Sequence, residues 1–360
     1  VPALKPEQFS NFIGMNIFLD ESKCREDLYP FSLTRHVADI RVGILTIKEK
    51  WEHLTQDNIT IDVNNIPADA IVVNANIIPT KENIVFILKE SADKISLLEN
   101  DTVKIIRYPW NIFQANDWAL RHDYELLTSK KISKEISATN NCINANNIFI
   151  EDGVKMEYCI LNATSGPIYI AKNAEVMEGS CIRGPFALGE NSVLKMGSKI
   201  YGSTTIGPYC VAGGEIKNSV LFGYSNKAHD GYLGDSVLGE WCNLGAGTSN
   251  SNVKNTGGQV KFQYKKTESI SAGNKAGLLM GDYSRCAINT SFNTGTIVGV
   301  CCNIFDDKMP AKRIESFSWG HERYIFEKAL QDISNWKKMK QQELTETEIE
   351  NLKHIYSTNQ

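Results

Sequence analysis

The sequence predicts an α/β domain, then a parallel β-helix built on hexapeptides, then a helical tail. Three observations carry that order. Short apolar runs alternate with a helix-spaced stretch between Met15 and Tyr108. Seven aliphatic residues follow one another at intervals of six: Ile170, Val176, Ile182, Leu188, Leu194, Ile200 and Ile206. Two apolar stripes at helical spacing fill the last part of the chain. We place the first domain at 1–132, a linker at 133–147, the β-helix at 148–310 and C-terminal helices at 311–360.

Met15-Asn-Ile-Phe-Leu19 reads as the first strand, so residues 1–14 read as a leader ahead of the domain. Val37, Ile40, Ile44 and Ile47 lie at helical spacing and predict a helix between His36 and Trp51. Ala70-Ile-Val-Val73 is the continuous apolar run of a buried parallel strand. Asn83-Ile-Val-Phe-Ile-Leu88 and Thr102-Val-Lys-Ile-Ile106 read as two more strands. Tyr108-Pro-Trp110 breaks the pattern, and a helix is expected from about Asn111 to Lys130. The polar stretch Ser133 to Asn147 is rich in asparagine, which favours turns, and reads as a linker or first cap.

A period of six belongs neither to a helix nor to a flat strand. It suits a three-sided coil in which one aliphatic side chain per side points inward. Four residues after the aliphatic position stands a small residue: Ala174, Ser180, Ser192, Ser198, Thr204 and Cys210, with Phe186 the exception. The pattern starts faintly at Ile148, Val154 and Ile160. After Ile206 it loosens, then returns at Leu238 and Leu244, and at Ile288 and Val300. Asn250 to Lys266 is polar and reads as a loop projecting from the coils, where β-helices often carry function. In the tail, Phe326, Ala329, Leu330, Ile333 and Trp336 share one helical face. Thr345 and Glu348 form a capping box before Ile349, Leu352, Ile355 and Tyr356.

The bulk properties exclude several classes. A net charge of -4 and pI near 6.0, with no basic stripe interleaved with aromatics, give no nucleic-acid footprint. No run approaches the roughly 18 apolar residues of a membrane span. Val1 to Gly14 has no basic segment followed by an apolar one, so no signal peptide is expected there. Nine cysteines without a C-x-x-C pair predict reduced thiols in a cytoplasm. Six scattered histidines offer no pair at metal spacing, so no metal site is expected in the prism.

Glu215-Ile-Lys217, then Lys227-Ala-His229-Asp-Gly-Tyr232-Leu-Gly-Asp235, then Asn243-Leu-Gly-Ala246-Gly-Thr248 and Asn252, resemble the acetyltransferase half of the bifunctional bacterial enzyme that makes UDP-N-acetylglucosamine. From about Met15 to Phe305 the chain is similar to shortened Bacteroidetes relatives of that enzyme, described as sugar nucleotidyltransferase-like. The resemblance implies a nucleotidyltransferase-like α/β domain, a left-handed β-helix and a homotrimer with sites between subunits. It implies His229 as the catalytic base, with Glu215, Lys217, Tyr232 and Asn252 contacting a sugar phosphate or nucleotide-sugar. Ala246, Gly281 and Asp282 would line the acetyl-coenzyme A site. Imidazole suits a base near neutral pH, an ammonium offers a phosphate a point charge, and backbone N–H groups near Ala246 could hold the thioester oxyanion. The family's arginine one coil before Glu215 is replaced by the run Lys199-Ile-Tyr-Gly202.

In the first domain Arg25, Leu28 and Pro30 match the end of the nucleotidyltransferase motif, but no glycine lies between Met15 and Gly43, so the usual phosphate loop is absent. The resemblance leaves Arg25, Arg35 and Asn76 as nucleotide contacts, with Mg²⁺ as a cofactor there. Asn76 stands where the family has a metal-binding aspartate and lacks its charge. Three functions follow as expectations: acyl transfer from coenzyme A in the β-helix, nucleotidyl transfer in the first domain with the β-helix as oligomerising support, or a non-catalytic sensor of nucleotide-sugars.

Overall fold

The structure, a computed structural model, describes residues 15–55, 59–90, 95, 102–265 and 268–358. The leader read at 1–14 lies outside the described residues. The first domain is built on a three-stranded parallel sheet in the order β2-β1-β3, with β1 at Ile17–Asp20, β2 at Ile59–Thr60 and β3 at Ile71–Asn74. A second pair, β4 (Ile77–Ile78) and β5 (Lys104–Ile105), is antiparallel. Helix α1 spans Ile47–Thr55, α2 Ile84–Lys89 and α3 Asn111–Thr128.

Three expectations are corrected here. The helix-spaced stretch from His36 is a short turn, Val37–Asp39, followed by a loop. Gly43 at φ +80° interrupts it, and α1 starts only at Ile47. The run Asn83 to Leu88 is helical rather than extended. Asn83 Oδ1 accepts from Thr80 N–H (2.7 Å) while Thr80 Oγ1 accepts from Asn83 N–H (3.3 Å), a reciprocal cap that starts α2. Val72, read as buried, is half exposed because β3 is an edge of the sheet.

The middle of the chain is a parallel β-helix. Ile170, Leu188, Ile206, Leu221, Leu238, Met280, Val298 and Ile314 stack in register on one face. All seven residues of the hexad series are buried, as are the small residues that follow them. The first strand of the prism, Asn141–Ile143, already lies in the segment read as a linker. The faint early register is corrected: Ile160 points outward, 45% exposed, and Leu161 fills the interior. Ile288 is likewise exposed and Val300 packs outside the prism, under the tail, while Cys286 and Phe292 point inward.

Coil length varies, yet one feature is constant. Three residues after each inward residue of that first face stands a left-handed residue: Asn173, Asn191, Tyr209, Tyr224, Trp241, Tyr283, Cys301 and Phe317, with φ between 54° and 61°. Non-glycine residues adopt this region at a cost. At three of these positions stacking offsets it, since Tyr209 lies 4.8 Å from Tyr224 and Tyr224 4.3 Å from Trp241, nearly parallel. The tail helices α4 (Phe326–Met339) and α5 (Glu346–Thr358) cover this corner and the second face. The capping box at Thr345 and Glu348 is formed.

The projecting segment folds back. Between Asn252 and Ala276 it forms an antiparallel hairpin, Lys261–Lys265 with Glu268–Ser271, whose Phe262 stacks on Trp110 at 5.2 Å. Val260, Phe262, Tyr264, Ala272 and Ala276 share one core with β1, β3 and α3. Helix α3 lies on the first face of the prism, where Asn116 Nδ2 donates to Ser203 O at 2.8 Å. The first face is thus covered by the α/β domain, the second by the tail, and the third, through Cys181–Arg183, Lys199–Ile200 and Glu215, carries exposed or half-exposed outward residues.

Candidate functional site

The third face gathers several of the expected residues. Register sets Lys199 beside Glu215, and Glu215 beside Tyr232. Two residues on, the next outward row holds Tyr201 and Lys217, with Lys217 Nζ 6.0 Å from the Tyr201 ring centre. Gly234 continues that row. A side chain there would collide with the phenol of Tyr232, which folds over it. Asn252, at the foot of the insertion, donates to Tyr232 Oη (3.1 Å) and to Asp235 Oδ2 (2.5 Å). Burial, then the carboxylates of Asp235 and Glu215, push the Tyr232 phenol up to about 12, so it stays protonated.

Asp235 was in the quoted motif without a role. Its other oxygen accepts from Asn218 Nδ2 (2.6 Å), and its carbonyl accepts from Gly277 N–H (2.8 Å). It therefore pins both ends of the insertion. Lys199 lies in the run that replaces the family's arginine, with no role implied for it by the resemblance. Its position one coil before Glu215 is the signal that finds it.

His229 is exposed on the corner that leads into the Tyr232 strand. Among the described residues its imidazole has no hydrogen-bond partner. The corners above and below are narrow, formed by Gly213 and Gly214 on one side and by Gly245, Ala246 and Gly247 on the other. Gly245, Gly247 and Thr248 give their N–H groups to Cys286 O, Asp230 O and Gly245 O. Among the described residues the Ala246 N–H has no acceptor, so the expected oxyanion donor narrows to that one group. Glycine and alanine carry no bulky side chain at these corners, so their backbone would be open to the pantetheine arm of coenzyme A.

Gly281 and Asp282, expected with Ala246 on the cofactor site, stand at a different corner from Ala246. They lie at the corner between the first and second faces. Asp282 is buried, accepting from Thr34 Oγ1 (2.7 Å), from the Glu240 N–H (2.9 Å) and from the Arg35 guanidinium. Arg35 also pairs with Glu240 at 3.2 Å and lies over Phe222. It is a strut between the two parts of the chain. Arg25 is also used internally, on Glu21 and on the Arg35 carbonyl.

The first domain has a cleft of about 300 Å³ lined by Lys23, Cys24, Asp27, Asn74, Asn76, Ile77, Ile105, Arg107 and Tyr108. It opens at the carboxyl ends of β1 and β3, where ligands of parallel sheets bind. Asn76 is in it, with its amide donating to Ile106 O (3.1 Å). Lys23, Asp27 and Arg107 were missed because no motif marks them. Tyr264 of the hairpin stands edge-on to Tyr108 at 5.8 Å, at the wall of this cleft. Burial lifts the Cys24 thiol to about 12, which removes it as a nucleophile. Asp27 is the one carboxylate of the wall. With Asn76 it would give Mg²⁺ two oxygen ligands, the rest coming from ligand phosphates and water.

Residues 16–104 match the family model described as sugar nucleotidyl transferase. A bifunctional sugar-1-phosphate nucleotidylyltransferase/acetyltransferase of Sulfurisphaera tokodaii is 29% identical over 232 residues, 60% of this chain and 50% of that protein. The bifunctional protein GlmU of Methanocaldococcus jannaschii is 34% identical over 118 residues, 32% of this chain and 28% of its own. That of Methanococcus maripaludis is 25% identical over 269 residues, 72% and 59%. The chain therefore spans about half the length of the curated relatives it matches. The chain is therefore similar to sugar nucleotidyl transferases over residues 16–104 and to the bifunctional nucleotidyltransferase/acetyltransferases over a longer stretch.

Proposed function

We propose that this chain is a transferase of sugar-nucleotide metabolism that moves an acetyl or acyl group from coenzyme A to a sugar phosphate or nucleotide-sugar, of the UDP-N-acetylglucosamine type, on the β-helix. The observation that carries this reading is the convergence of Lys199, Glu215, Lys217, Tyr232 and Asn252 on one open face beside the His229 corner. His229 takes the proton from the attacking amine or hydroxyl. Lys217 and Lys199 hold the acceptor phosphate, while Tyr232 and Asn252 set the sugar. The Ala246 N–H faces the oxyanion that forms as the thioester is attacked. Coenzyme A, when bound, supplies the activated acyl group. The first domain binds the nucleotide portion in its cleft, with Mg²⁺ carried on phosphates beside Asp27.

The open third face supports a trimer in which neighbouring prisms meet there. Nine free thiols support a cytoplasmic home. A second reading, nucleotidyl transfer in the first domain, is favoured by the cleft at the strand ends. Replacing His229 with Ala separates the two. Under the acyl-transfer reading, thioester-dependent acetylation falls roughly 100-fold or more and nucleotide binding stays. If a panel of sugar phosphates yields pyrophosphate release and no acetylation in either protein, the second reading replaces the first. If neither product forms, the chain is a sensor.

A further inference from the structure

The inward positions of the second face are Met156, Val176, Leu194, Ala212, Lys227, Leu244, Cys286 and Ile304. Lys227 is the one charged residue among them and is 2% exposed. Its stem runs inside the prism over Ala212, the smallest of the eight. Its ammonium donates to Gly213 O (3.1 Å) and to the carbonyl of His229. Asp230 is the charged group that acts on it.

The corner it reaches is unlike its neighbours. From the inward residue to the left-handed residue that ends the corner, the chain takes three steps from Leu194 to Gly197, from Leu244 to Gly247 and from Cys286 to Asn289. It takes two from Ala212 to Gly214, and four from Lys227 to Gly231. The additional residue makes the corner bulge at His229. Neighbouring corners are tied across coils by N–H bonds such as Gly197 to Glu178 O and Gly247 to Asp230 O. Among the described residues, the N–H groups of residues 228–231 have no such acceptor. From the inside, Lys227 ties this corner, through His229 O, to the preceding one, through Gly213 O.

We infer that Lys227 is a positioning residue: an ammonium threaded through the prism interior that fixes the bulged corner and so aims the His229 imidazole at the acceptor. The inference rests on the reading of His229 as the base. Lys227→Met keeps the stem and removes the two bonds. We expect a folded protein whose kcat for acetyl transfer falls roughly 10- to 100-fold while both KM values stay within about twofold, because orientation and not binding is lost. Amide exchange at Gly247 and Glu215, whose N–H groups donate to the corner carbonyls Asp230 O and Gly231 O, followed by NMR in the same variant, should accelerate whether or not the protein acetylates anything. A second variant, Lys227→Leu with Ala228 deleted, gives this corner the three-step geometry of Leu244 to Gly247. It should fold and lose activity with His229 still present.

Unchanged kcat in either folded variant overturns the positioning role, as does unchanged amide exchange. An inactive wild type, or a His229→Ala variant as active as wild type, overturns the acyl-transfer reading instead, and the exchange measurement then still tests the clamp alone.

Discussion

Replacing Asp282 with Ala tests the placement that departs furthest from expectation. In the structure the carboxylate is buried and takes three donors, the Thr34 hydroxyl, the Glu240 N–H and the Arg35 guanidinium. Alanine leaves Arg35, whose side chain is 10% exposed, with Glu240 as its remaining carboxylate, itself 37% exposed. It also orphans a hydroxyl and a backbone N–H. Removing one partner of a buried ion pair costs about 3–5 kcal/mol, because the other charge stays buried. Asp282→Asn keeps the shape and one acceptor oxygen, so about half that loss is expected. Urea denaturation at pH 7 measures it as a lower midpoint with an unchanged slope. A double-mutant cycle with Arg35→Met should recover much of the penalty, since it removes the stranded cation. A loss below about 1 kcal/mol in Asp282→Ala, coupled with a raised KM for acetyl-coenzyme A, would refute the interface role and return Asp282 to the cofactor site.

Three further outcomes follow from the packing. Phe262→Ala removes a fully buried ring stacked on Trp110 and should cost about 3–5 kcal/mol in the same denaturation assay; a change under 1 kcal/mol would mean the hairpin is not docked. Arg285 lies buried against Trp336 at 5.0 Å with Nε and Nη2 unpaired among the described residues, so Arg285→Met should stabilise by about 1 kcal/mol or more, read as a higher thermal midpoint. Burial lowers the Lys227 ammonium from 10.5 to about 8. Between those values the unfolded chain holds a proton that the folded one has lost, so wild type should gain on Lys227→Met by up to about 3 kcal/mol from pH 7 to 10.5. A stability difference independent of pH across that range contradicts the buried placement.

The series from Ile170 to Ile206 was legible because those coils carry no insertion and every inward place is aliphatic. The register failed where either condition lapses. Ile206 to Leu221 is a shorter coil, and Ala212, Lys227, Cys286 and Phe292 are inward residues that a search for aliphatics passes over. Asn83 to Leu88 misled because five apolar residues without a period fit a strand or a helix equally, and the deciding cap is a polar pair at Thr80 and Asn83. On the open face, Glu215, Lys217, Tyr232 and Asn252 were legible through the resemblance, and the register of neighbouring coils brings them together. The pairing of Arg35 with Asp282 joins distant parts of the chain through a surface that no periodicity marks. The same holds for the cleft wall, which Lys23, Asp27 and Arg107 reach from three separate loops.

The hairpin between Lys261 and Ser271 also bears on the order of assembly. The α/β part emerges from the ribosome long before Val260, Phe262 and Ala276, yet its core is finished only by them. Until those residues are synthesised, Trp110 and its neighbours are left as a sticky, half-covered surface. The early module must therefore wait for most of the spiral to be wound, and cutting the chain after α3 should release an aggregating fragment rather than a small free-standing domain.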